Sequence, residues 1–258
     1  NDDSSPENPK SAWRTKQIFL GHLAISDLDG GRHWMAEDLA RGALEMAGTE
    51  QKEEMTFIWL HDWSIQIGPD DHHLSAGTPE FSIQINNASL KPIVFHGDDG
   101  YSLKGSSAER ASCYYSFTRM AAKGKLTIGE RTFVVRGHSW MDHEFSTAAL
   151  QPEIEGWDWF SMQLDSNEEL MIYILRQADG KPHPASSGTL VKANGEAQHL
   201  TAEEFNIRVL TYWRSPNSKG LYPARWQLTV PSLKTNLTIV PNLADQEMLT
   251  PDSTNVTY

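Results

Sequence analysis

Apolar and polar residues alternate with a period of two through most of this chain, and Gly, Asp and Asn break the pattern every few residues. Side chains on a strand point to opposite faces in turn, so this punctuation restricts the chain to short strands joined by tight turns. Gln17 to Ser26 puts Ile18, Leu20, His22 and Ala24 on one face and Phe19, Leu23 and Ile25 on the other. Both faces are partly apolar, which predicts a strand covered on both sides. Asp27-Leu28-Asp29-Gly30-Gly31 is a turn, and Arg32 to Glu37 the returning strand.

The same signals predict strands within Thr56 to Ile67 and at Phe81 to Ile85, and a hairpin of Pro92 to Phe95 and Tyr101 to Lys104 across Gly97-Asp98-Asp99-Gly100. They recur at Ser112 to Met120, Lys125 to Ile128 and Arg131 to Val135, with Gly124 and Gly129-Glu130 read as turns. Later strands are predicted at Trp157 to Leu164, Glu168 to Arg176, Gly188 to Lys192, Phe205 to Tyr212, Ala224 to Val230 and Asn236 to Val240. One exception is expected: Ala36 to Ala47 carries Leu39, Ala40, Ala43, Leu44 and Ala47 at helical spacing, with Gly42 weakening it.

Many short strands and little helix point to an all-β protein built of antiparallel barrels or sandwiches. With 258 residues, the chain suffices for one large β domain or two medium ones. The acidic, Pro-containing Gln151 to Glu155 is the expected boundary, giving units at 1–150 and 151–258. Asn255 to Tyr258 resembles the start of a strand, so the chain is expected to be part of a longer protein.

A formal net charge of -12 opposes nucleic-acid binding, which draws its affinity from basic patches. The single cysteine, Cys113, excludes an internal disulfide and is expected as a small core residue. It suits a reducing compartment or a periplasmic protein without staples. No apolar run approaches the roughly 18 residues of a membrane-spanning helix, so an integral membrane protein is not expected.

Chemistry concentrates at Gly137-His138-Ser139-Trp140-Met141-Asp142-His143-Glu144-Phe145 and Gly156-Trp157-Asp158-Trp159-Phe160. On a strand, His138, Trp140, Asp142 and Glu144 share one face, and Trp157 and Trp159 share another. Carboxyl and imidazole groups beside indole walls suit general acid–base work in a water-poor pocket. A packed junction in which the polar groups satisfy backbone is the alternative. Tyr173 and Arg176, on the neighbouring predicted strand, are candidates to orient a ligand's polar end. His72-His73 reads as a solvated loop, and His22, His61 and His96 as isolated histidines. No compact His-x-His motif appears, and no metal or cofactor is expected.

On these residues the chain resembles the AttH-like and carotenoid 1,2-hydratase-related family. Further markers are Ser11 to Arg14, Gly21 to Asp27, Gly97 to Gly105, Ala111 to Ser116, Tyr222 to Trp226 and Asp245 to Glu247. The resemblance implies two tandem lipocalin-like antiparallel β-barrels and a large hydrophobic ligand such as a lipid, isoprenoid or polyketide. Relatives begin with a Glu-Trp-Trp-Tyr segment and continue beyond this chain's end, which implies missing first and last strands. It further implies either binding alone or a cofactor-free lyase or cyclase. In a hydratase, His138, Asp142 and Glu144 would be catalytic, Asp142 protonating an alkene, while Trp140, Trp157 and Trp159 stabilise the cation. A periplasmic or secreted location and a link to an export system belong to the same expectation, with the cytoplasm as alternative.

Overall fold

The computed structural model of the protein describes residues 17–107, 109–146 and 152–249. The chain forms two compact units. Of the described residues, one comprises those up to Ala88, Ala122–Arg136 and those from Asp245; the other comprises those within Ser89–Ala121 and Gly137–Ala244.

In the first unit β1 (Ile18–Asp27) and β2 (Arg32–Arg41) pair antiparallel as a hairpin. Asp27 Oδ1 accepts the Gly30 N–H at 2.9 Å and Gly31 takes the left-handed conformation that closes the turn. A meander follows: β3 (Ala47–Lys52), β4 (Met55–Leu60), β5 (Trp63–Ile67), β6 (Asp71–Gly77) and β7 (Phe81–Ser89), each antiparallel to the next. Leu23, Ile25 and Phe81 centre the core, with Trp34, Trp63, Ile83, Leu126 and Ile128 packed on them.

In the second unit β8 (Val94–Phe95) and β9 (Tyr101–Leu103) both pair with β10 (Ala111–Ile128), which is followed by β11 (Arg131–Phe145). The last two strands are long, 18 and 15 residues, and each contributes one end to the first unit and the other to the second. Next come β12 (Ile154–Gln163), β13 (Glu169–Gln177), β14 (Ser187–Val191) and β15 (Ala197–Thr201) in one sheet. A three-stranded sheet holds β16 (Asn206–Arg214), β17 (Leu221–Val230) and β18 (Thr235–Ile239). Strand β13 is buried on both faces. Its even positions Leu170, Ile172 and Ile174 pack with Leu190, Leu200, Phe205, Leu228 and Val230, while Met171, Tyr173 and Leu175 pack with Tyr114 and Ile154.

The protein is therefore all-β, as its alternation predicts. Among the described residues the one helical element is the single 3-10 turn Pro231–Leu233, none of the sheets closes on itself, and no helix is long and apolar enough to cross a membrane.

Several local expectations are overturned. Ala36 to Ala47 is not a helix: its first half continues β2, and Leu44 and Glu45 both have positive φ. Right-handed helix excludes that conformation, and pairing with β1 outweighs the weak propensity of Ala and Leu. The strands flanking Gly97 to Gly100 form no hairpin ladder: apart from the single Asp98–Tyr101 bridge, both pair with β10 instead. Cys113 is exposed and His72 is buried, because alternation on β10 and β6 puts Cys113 outward and His72 inward.

Gly124 is not a turn but lies inside β10, where a Cβ would overlap the Gln84 carbonyl and sit 2.9 Å from the Ile85 Cα. Backbone cannot move aside as a flexible side chain can. Gly124→Ala is expected to lower stability by about 1–3 kcal/mol, the range for overpacking; an unchanged urea midpoint would contradict this close approach.

Candidate functional site

Alternation on β12 turns Trp157 and Trp159 to one face, with cross-strand neighbours Leu175 and Tyr173 on β13. Ser112 and Tyr114 of β10, Glu144, Phe145 and Ser146 from the end of β11, and Lys104 just after β9 complete the wall of a cavity of about 320 Å³. The indoles remain 51% and 42% exposed, so the cavity presents large apolar surfaces that the protein itself does not cover.

Its polar end is built around Lys104. The ammonium donates to Glu144 Oε1 at 2.8 Å and to Ser102 Oγ at 3.0 Å. It lies 3.9 Å from the Tyr173 ring centre and 5.1 Å from that of Tyr114, so two π-faces share its charge. Glu144 Oε1 also accepts from the Ser112 hydroxyl. The Tyr173 hydroxyl is fixed by donating to the Leu103 carbonyl at 2.9 Å.

A second network is joined to the wall through Tyr114. Asp142 Oδ1 accepts from the Tyr114 hydroxyl at 2.8 Å and from the Ser116 hydroxyl, and Trp159 Nε1 donates to the Tyr114 oxygen at 3.1 Å. Burial, then the charge of Asp142 and its hydrogen bond, push the Tyr114 phenol well above its ordinary range, so it stays protonated. Behind Ser116 lies His96, almost fully buried, with Nε2 2.7 Å from Ser116 Oγ and Nδ1 2.9 Å from Thr189 Oγ1. Because Ser116 gives its proton to Asp142, Nε2 must donate and Nδ1 accept. Burial first, then the charge of Lys104, pushes His96 from the ordinary 6.5 down to about 3.

This has a measurable consequence. The folded state holds His96 neutral, and the unfolded chain binds a proton below about pH 6.5. Its contribution is complete above that pH and is lost as the pH falls toward about 3, at up to about 1.4 kcal/mol per pH unit. The stability gap between wild type and His96→Asn should narrow from pH 6.5 to pH 4 in urea titrations. Parallel pH profiles for the two proteins would contradict a neutral buried imidazole.

The structure brings Trp157, Trp159, Tyr173 and Glu144 together on the cavity. Asp142 stands one hydrogen bond behind it, through Tyr114, and Trp140 packs against the Tyr114–Met171–Tyr173 cluster. His138 is exposed on β11, outside the cavity lining. Arg176 is three residues from Tyr173 and so faces the other side of β13, where it meets Asp158 at 3.6 Å. Lys104, Ser112, Tyr114, Leu175 and His96 escape a reading by clusters. For Ser112 and Tyr114 the one signal is the alternation Ser112-x-Tyr114-x-Ser116, which places two hydroxyls and a phenol on one face.

The chain belongs to the AttH-like family, which it matches over residues 1–258. Its fold is similar to that of an AttH protein from Nitrosomonas europaea, with a TM-score of 0.82, 26% identity, and coverage of 90% of this chain and 71% of that one. It is also similar to kievitone hydratase from Nectria haematococca, with a TM-score of 0.71, 14% identity, and coverage of 90% and 69%. No curated protein matches the sequence.

Proposed function

We propose that the second unit binds an apolar small molecule in the cavity walled by Trp157 and Trp159. The observation that carries this reading is the pair of half-exposed indoles on a hollow of about 320 Å³ with one charged end. Surface of that kind gains free energy when a ligand removes it from water. The volume lies at the low end for small-molecule sites, so a long lipid, isoprenoid or polyketide would seat one end and leave the rest outside.

Hydration of a double bond is the second reading, favoured by the fold shared with a hydratase and by the Tyr114–Asp142 pair. Binding is the better supported of the two. Glu144 Oε1 already accepts from Lys104 and Ser112, and Asp142 Oδ1 from Tyr114 and Ser116. Both carboxylates are thus engaged as acceptors, whereas protonating an alkene requires a donor. Native mass spectrometry of the purified protein tests the reading: a co-purifying hydrophobe is the expected result. Loss of that adduct in Trp157→Ala would place it in this cavity. A bare mass, together with no heat on titrating apolar compounds, would overturn the reading.

A further inference from the structure

Resting on that reading, we infer that the ligand carries an acidic head, a carboxylate or an anionic group of similar size, which docks on Lys104.

Among the described residues lining the cavity Lys104 is the one cation, and it is already prepared to receive an anion. Its side chain is only 17% exposed, so much of its desolvation is suffered before any ligand arrives. Ser102 Oγ and the Tyr173 face hold the ammonium in place from one side. Of its three N–H groups, two have partners among the described residues, Ser102 and Glu144. The third is available to a ligand oxygen.

Glu144 is the exchangeable partner. Its side chain is 40% exposed, more than twice the exposure of the lysine, and it sits at the end of β11. It can rotate toward water and yield its place, whereas Lys104 is pinned between Ser102 and two aromatic rings. A carboxylate that replaces Glu144 keeps the charge count at Lys104 unchanged and makes charge-assisted hydrogen bonds in a partly dry site. An ammonium head would meet Lys104 at close range and be repelled. A hydroxyl head would add one neutral hydrogen bond only. Asp142 does not line the cavity, its Oδ1 is held by Tyr114 and Ser116, and its exposure to water screens its charge from the incoming anion. The indoles then take the apolar body of the ligand.

The test uses three probes of equal chain length, decanoate, decan-1-ol and decylamine, titrated calorimetrically into the full chain at fixed ionic strength. Decanoate is expected to bind at least tenfold more tightly than decanol, and decylamine more weakly than decanol. Glu144→Gln should tighten decanoate severalfold relative to decanol by releasing Lys104 from its competitor. Lys104→Met should erase the difference between acid and alcohol while decanol still binds. Equal binding of acid and alcohol, or tightest binding of the amine, overturns the acidic head but leaves the cavity reading standing. Failure of all three to bind overturns both.

Discussion

Glu169→Ala should cost about 3–5 kcal/mol of stability, the range for breaking a buried ion pair from one side. Glu169 is fully buried. Its Oε2 accepts from Lys91 Nζ at 2.7 Å, and its Oε1 from Arg119 Nε. Lys91 also donates to the carbonyls of Asn167 at 2.6 Å and Lys192 at 2.9 Å, and Arg119 Nη2 to that of Leu164 at 3.0 Å. One carboxylate therefore neutralises two cations that are otherwise held only by backbone oxygen, and alanine leaves both without a counter-charge. The physical origin can be separated from lost packing. Replacing all three groups with Leu and Met should cost far less than the single alanine change, because no unpaired charge then remains inside. Urea unfolding of wild type, the single variant and the triple variant decides the matter. A single-alanine loss below about 1 kcal/mol, within the range of exposed pairs, would show that water reaches the cluster.

Trp159→Ala should weaken binding of an apolar ligand by about 2 kcal/mol or more, roughly thirtyfold, as buried aromatic anchors do. The indole supplies wall area, and its N–H holds the Tyr114 oxygen at 3.1 Å. Trp159→Phe separates these roles: it keeps most of the apolar face and frees Tyr114. If area dominates, Phe recovers most of the affinity; if the hydrogen bond dominates, Phe behaves as Ala. Retention of binding within threefold in Trp159→Ala, measured calorimetrically with decanoate or a co-purified hydrophobe, would move the ligand elsewhere.

Legibility in the sequence tracked how local each cause is. The turn Asp27 to Gly31 and the strands on either side of it were readable because a glycine with positive φ and period-two alternation act within a few residues. The same holds for Trp157 and Trp159, whose common face follows from their spacing alone. The run from Ala36 to Ala47 misled because alanine and leucine satisfy both periods, and the partner strand β1 decides between them. Gly124 misled because a glycine marks a turn and a backbone crossing equally well.

The chain's own order of residues determined the all-β class, most strand positions and the indole wall, since each rests on backbone geometry repeated every two residues. Only the tertiary structure decided that Lys104 meets Glu144, that Lys91 and Arg119 converge on Glu169, and that His96 lies buried behind Ser116. Each of those contacts joins residues 20 or more positions apart. Charge and hydrogen bonding act through space, and which distant strands become neighbours is settled by the packing of whole sheets rather than by any local pattern.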